Sequence, residues 1–231
     1  MKGKSILVVG AGSGLGKAIF DRIKLDKEIE VYGISRRGIN YFSKDSLISG
    51  NNYHCDLTKE ESIKQFIQFF QSYKSSLDGV YLCAGDGLFS PLEDINISKL
   101  ENHFRLNVYS NFIILSYLLI LLKNSNLPFV CFISSTAGKI GFPDSTAYCA
   151  SKHALTGMAK ALREEWKKYK IRVNIAYTGA VYTNIWEGRE GFDRNDMIEP
   201  NEYAEALYNL IKTPGSIDFE EISIMPIKGI L

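Results

Sequence analysis

The sequence has no Cys-x-x-Cys pair. Its four cysteines, Cys55, Cys83, Cys131 and Cys149, stand far apart, which argues against a metal knuckle or a dithiol redox site and leaves each as a small apolar packing residue. It has no excess of one charge. The 27 Lys and Arg against 26 Asp and Glu leave a formal net charge of +1, so no polyanion-binding surface and no nucleic-acid partner are expected. It has no linker-like or low-complexity stretch, and 231 residues suit one α/β domain with a sizeable core. Residues 1–5 run directly into an apolar strand without a signal-type segment, so the expected location is cytoplasmic. Nor does any apolar run reach membrane length. The strongest, 111–122, covers about two-thirds of the roughly 20 residues a bilayer span requires. It reads as a buried helix, apolar nearly all round, which asks for cover from a sheet on one side and a second subunit on the other. A homodimer or homotetramer is the expected state, with no membrane partner.

What is present is an alternation of short apolar runs with helical spacing. Residues 4–10 form a run ending in Gly, and 16–25 follow with helical periodicity, so the chain opens strand, turn, helix. Strands are predicted at 30–34, 53–55, 79–83, 129–134, 171–176 and 221–225. Helices are predicted at 58–73, capped by Thr58, and at 98–123, 147–169 and 201–211. Continuously apolar strands separated by helices belong to a parallel sheet covered on both faces. The expected fold is therefore α/β, a doubly wound Rossmann-type sandwich of about seven strands. Ligands in such sheets bind beyond the carboxyl ends of the strands, which makes the segment around 180–200 a candidate substrate lid.

Gly10, Gly14 and Gly16 lie in GAGSGLG between the first strand and the first helix. Absent side chains there let a pyrophosphate reach backbone N–H groups and the helix N-terminus. The spacing is Gly-xxx-Gly-x-Gly, and Leu15 stands where a Gly-x-Gly-x-x-Gly turn would place its last glycine; a tight packing turn would use the same glycines. Roughly 20 residues on, where an acid would hold the ribose 2′-hydroxyl of NAD, the chain reads Ser35-Arg36-Arg37. A guanidinium pairs with a 2′-phosphate and a carboxylate would repel it, so NADP(H) is expected over NAD(H); two solvated surface arginines are the plainer alternative. Asp56 is placed either to accept from the adenine amino group or to cap the next helix. Ala84-Gly85 offers close backbone approach.

Tyr148 and Lys152, in YCASK, stand four apart on one helical face. A cation about 5 Å away at an effective dielectric of about 20 favours phenolate by roughly 3 kcal/mol, which would bring the phenol down by about two pH units towards neutrality.

In order along nearly the whole chain stand GAGSGLG, CDLT, CAG, Asn107, ISSTAGKIGFP, YCASK and TGAVYT, and with these parts the sequence resembles a classical short-chain dehydrogenase/reductase. That family has its catalytic Ser thirteen residues before the Tyr, and Ser135 stands there. The resemblance implies that Tyr148 protonates a carbonyl oxygen, that Ser135 hydrogen-bonds the same oxygen, and that Lys152 lowers the Tyr pKa and holds the nicotinamide ribose. It implies that Asn107 keeps a water in a proton relay, where otherwise its amide would satisfy backbone in a kinked turn. It implies that Thr183 binds the carboxamide, and that Ser13, Leu15, Leu57, Cys83, Thr178, Gly179 and Val181 complete the cofactor set. No metal is required. Val9, Leu82-Cys83 and Thr178 depart from the family's usual Thr, Asn-Asn and Pro, which suggests that packing replaces polar ties between strand ends.

The expected substrate is a small or medium carbonyl or alcohol with apolar bulk, enclosed by 86–90, 136–142 and 181–192 through Leu88, Phe89, Phe142, Tyr182, Trp186 and Phe192. His103, on a helix remote from YCASK, reads as structural. Two alternatives stand beside the oxidoreductase: a non-catalytic NADP-binding sensor of the same fold, and a nucleotide-sugar epimerase or dehydratase. The complete Ser135, Tyr148, Lys152 and Asn107 set speaks against the first. The short chain after Phe192 speaks against the second.

Overall fold

Side chains alternate across a strand, so a run such as Ile6-Leu7-Val8-Val9 stays dry only if both faces of its sheet are covered. A computed structural model, which describes residues 3–40, 46–189 and 191–231, shows that cover. Ile6 and Val8 face one apolar cluster with Ile19 and Ile23 of α1 (Gly14–Lys24) and Tyr203 and Leu207 of α6 (Pro200–Tyr208). Leu7 and Val9 face the other, built from Phe66 and Phe70 of α2 (Glu60–Gln71), Leu118 of α4 (Ser110–Lys123) and Leu155 of α5 (Thr146–Trp166).

The strands are β1 (Lys4–Val9), β2 (Ile29–Ser35), β3 (Asn52–His54), β4 (Gly79–Leu82), β5 (Phe129–Ser135), β6 (Arg172–Thr178) and β7 (Glu221–Ile224). They pair in the order β3-β2-β1-β4-β5-β6-β7, every pair parallel. The sheet is the expected doubly wound Rossmann type, and its winding reverses between β1 and β4. Chain leaving those two strands in opposite directions opens a crevice at their carboxyl ends.

Val9 and Leu82, at two of the departures from the family pattern, are buried in one apolar cluster. The third is polar after all: the Thr178 and Tyr203 hydroxyls are hydrogen-bonded to each other, tying the end of β6 to α6. Thr58 does not cap α2. Lys59 holds the N-cap position without a side-chain bond, and Asp56 instead accepts from the Thr58 N–H at 3.1 Å and its hydroxyl at 2.7 Å, a local turn competing with the helix start.

The long helix predicted at 98–123 is interrupted. α3 (Ile97–Phe104) passes through a π turn, Arg105–Tyr109, into α4. There Ser110 Oγ donates to the Leu106 carbonyl at 2.6 Å and Asn111 Nδ2 to the Asn107 carbonyl at 2.8 Å. The Ser110 N–H reaches back five residues to the Arg105 carbonyl. By length and composition, the 27 residues 97–123 would be long and apolar enough to cross a membrane. Ile114, Leu115, Leu118, Leu121 and Leu122 are nevertheless packed in the core, while Tyr109, Phe112 and Ile120 face outward. Within the chain, the helix is thus covered on one side. Residues 1 and 2 of the opening segment and residue 190 of the expected lid lie outside the described residues.

Candidate active site

The turn after β1 shows why its glycines are needed. Gly10 has φ 89°, and a Cβ there would come within 2.7 Å of the Ala84 nitrogen after β4; a Cβ on Gly16 would come within 2.3 Å of the Gly10 carbonyl oxygen. The backbone at the crevice is therefore as close as it can be. Gly16→Ala is expected to destabilise the fold by about 1–3 kcal/mol through this backbone clash, read as a lower thermal midpoint; an unchanged midpoint would mean that the turn yields.

α1 begins at this turn. Its N-cap Ser13 makes no side-chain cap bond, and no acidic residue lies in its first turn. An uncapped helix N-terminus beside bare backbone suits a pyrophosphate. A Cβ on Gly14 would meet the Thr183 side chain at 3.6 Å, and Ser13, Gly14, Leu15, Cys83, Gly85, Thr178, Gly179, Val181 and Thr183 line one cleft. At the end of β2, Arg36 and Arg37 are exposed, and Arg37 Nε would stand 3.6 Å from a Cβ on Gly12. A guanidinium thus bends back over the turn. Ser35 Oγ accepts from Asn52 Nδ2 at 2.8 Å. Asp56 keeps its carboxylate for Thr58 and for Lys59, 3.5 Å away, at the edge of a shallow hollow shared with Arg36 and His54. Leu57 packs its side chain into the core and can offer a ligand only backbone. These residues fit a dinucleotide.

At the other end of the cleft, β5 delivers Ser135 and α5 delivers Tyr148 and Lys152. Ser135 is held by the Ala137 N–H, which donates to its Oγ at 3.1 Å. Lys152 is buried, its Nζ donating to the Ile133 carbonyl at 3.2 Å and standing 5.6 Å from the Tyr148 ring centroid. Asn107, fully buried in the π turn, spends its amide on the loop after β4: its Oδ1 accepts the Asp86 N–H and its Nδ2 donates to the Asp86 carbonyl, both at 3.0 Å.

His103 is not remote from this group. One helical turn before Asn107, it is buried, with Nδ1 2.7 Å from the Asp86 carboxylate and Nε2 3.0 Å from Ser151 Oγ and 3.2 Å from Asn107 Nδ2. Its ring stands 6.3 Å from that of Tyr148. Sequence reasoning missed it, although spacing of four from Asn107 already placed the two on one face.

The electrostatics correct the sequence expectation for Tyr148. Burial pushes the phenol pKa up, outweighing the neighbouring Ser135 hydroxyl that pulls it down. The same burial pushes Lys152 down from 10.5 to about 8. Desolvation dominates where the sequence argument counted only the charge pair. Between pH 8 and 10.5 the unfolded chain keeps the Lys152 proton that the folded chain has lost, so this group makes stability rise with pH across that window, by about 3 kcal/mol in all. Urea midpoints at pH 8, 9 and 10 should rise for the native chain relative to Lys152→Met; a constant difference would show that the ammonium is not depressed.

The cleft has a volume of about 890 Å³ and includes Leu88, Phe89, Phe142, Trp186 and Phe192 among its walls. Tyr182 turns outward instead, its ring 4.2 Å beneath the Arg194 guanidinium. Phe89 packs 5.0 Å from Tyr148 and Trp186 4.6 Å from Phe192, ring centroid to ring centroid. The segment after β6 carries Arg189 against these rings, a residue the sequence reading passed over.

The profile of the family described as short chain dehydrogenase matches residues 4–192. The chain is 25% identical over 209 residues to a 2,5-dichloro-2,5-cyclohexadiene-1,4-diol dehydrogenase of Sphingobium indicum, covering 87% of this chain and 80% of that one. It is also 25% identical over 235 residues to the sepiapterin reductase of Chlorobaculum tepidum, covering 97% and 96%. An alcohol dehydrogenase from Thermococcus sibiricus, solved with 5-hydroxy-NADP, superposes with a TM-score of 0.85 at 22% identity, covering 97% of both chains. The crevice at the winding reversal, its glycine turn and these matches agree: the chain belongs to the short-chain dehydrogenase/reductase family and is an NAD(P)-dependent oxidoreductase.

Proposed function

We propose that this oxidoreductase uses NADP(H) to interconvert a carbonyl compound and its alcohol, with Tyr148 as the acid/base. One observation carries the reading: Ser135, Tyr148 and Lys152 line the same cleft as the glycine turn and the start of α1. A bound nicotinamide supplies or accepts the hydride. Tyr148 gives its proton to the carbonyl oxygen while the Ser135 hydroxyl donates a hydrogen bond to that atom. A phenol whose pKa is raised by burial stays protonated at neutral pH, which favours its use as the acid in reduction. Lys152 holds the nicotinamide ribose, and Asn107 fixes the loop at Asp86 and with it the cleft wall.

The preference for NADP(H) rests on Arg36 and Arg37 and on the lack of an acid at the end of β2. One domain carries both sites, with 180–200 as its lid. Pairing of two copies through the helix 97–123 is supported by the outward apolar Tyr109, Phe112 and Ile120, and a cytoplasmic location by four free thiols. No nucleic-acid or membrane partner forms part of this reading. The test is oxidation of NADPH and of NADH, followed by nicotinamide absorbance, against a panel of aldehydes and ketones. Faster turnover with NADPH sustains the reading; tight NADPH binding with no turnover would favour the non-catalytic sensor.

A further inference from the structure

The cleft contains a second cation whose place is not explained by the reduction itself. The Arg189 guanidinium carbon stands 4.0 Å from the Phe89 ring centroid, 4.7 Å from Trp186 and 4.9 Å from Phe192. Phe89 in turn packs against Tyr148. The guanidinium and the phenol thus pack against the same ring.

Ring faces attract the flat cation but satisfy none of the N–H donors along its edge. Among the described residues, no ion pair and no side-chain hydrogen bond occupies Arg189. Of the carboxylates on the cleft wall, Asp86 is paired with His103, Glu187 is exposed to solvent, and the terminal carboxylate of Leu231 forms no ion pair with Arg189. Burial disfavours the charge on Arg189, and the facing Tyr148 supports it. A partly desolvated fork of donors, packed on the same ring as the proton donor, is a site for an anion.

We propose that Arg189 anchors an anionic group of the substrate, so that the chain reduces carbonyl compounds bearing a carboxylate on an apolar body. The inference rests on the reductase reading and adds the substrate class to it. In the reaction the carbonyl carbon gains the hydride of NADPH and its oxygen gains the Tyr148 proton. Alcohol and NADP⁺ result, and the carboxylate is unchanged. The apolar body lies against Phe89, Trp186 and Phe192.

4-Formylbenzoate and its methyl ester, alike except for the charge, test this. With NADPH, kcat/KM for the acid should exceed that for the ester by at least about tenfold. Arg189→Gln should bring that ratio near one, mainly through KM for the acid, and Arg189→Lys should restore part of it because the charge returns without the planar fork. Calorimetric titration of the NADPH-bound protein with 4-(hydroxymethyl)benzoate, a pair that cannot react, should show binding that Arg189→Gln weakens about tenfold or more.

Equal kcat/KM for acid and ester, or a ratio unmoved by Arg189→Gln, would overturn the anion anchor and leave the reductase intact. Should neither compound turn over while NADPH binds, the reductase reading fails on them. The calorimetry then decides separately, since binding of the acid that depends on Arg189 sustains the anchor and its absence overturns it.

Discussion

Tyr148→Phe is expected to lower kcat for carbonyl reduction by about 10²–10⁴-fold, the range that a positioned proton donor supplies, with NADPH affinity essentially unchanged. The substitution removes one oxygen and keeps the ring that packs 5.0 Å from Phe89, so the fold and the cleft walls persist. What is lost is the proton for the carbonyl oxygen. Ser135 cannot replace it, because an aliphatic hydroxyl is a far weaker acid than a phenol. Thermal midpoints with and without NADPH separate loss of chemistry from loss of folding. A variant retaining a tenth or more of the native kcat would show that the proton comes from elsewhere.

The second large effect concerns the choice of cofactor. Arg36→Ala with Arg37→Ala should weaken NADPH binding by on the order of a hundredfold and change NADH binding little. A charge-assisted hydrogen bond is worth about 1.5–3 kcal/mol. Both arginines are exposed, however, so screening brings the pair towards the lower end. Raising salt should therefore narrow the difference between the native and double-variant proteins for NADPH alone. Equal losses for both cofactors would mean that the arginines serve the turn and not the phosphate.

Much of this was legible in the sequence because it depends on local pattern. Continuous apolar runs declare strands covered on two faces, and a glycine turn between the first strand and helix declares where phosphate can approach. Tyr148 and Lys152 share a helical face by their spacing alone. What escaped depends on distances that close only in the fold. His103 looked remote because its helix lies over forty residues earlier, yet the topology folds α3 and α5 against each other and places it beside Ser151. The protonation of Tyr148 was misjudged because the neighbouring charge is visible in the sequence and the burial that outweighs it is not. Tyr182 was assigned to the cleft by composition, but a residue on an irregular loop has no period to fix its direction, and it stacks under Arg194 outside.

The π turn at Arg105–Tyr109 also makes the chain's bookkeeping unusually strict at one place. A π turn accommodates one more residue than regular helix, and an added residue rotates everything beyond it by about 100°. Deleting Val108 would let the helix close regularly, but it could not then keep both of its ends. Either Asn107 would swing off the Asp86 loop, or Ile114 and Leu118 would turn out of the core. Across related chains, insertions and deletions should accordingly avoid this turn even though loops nearby accept them, and its length should be inherited as a single trait together with the cleft.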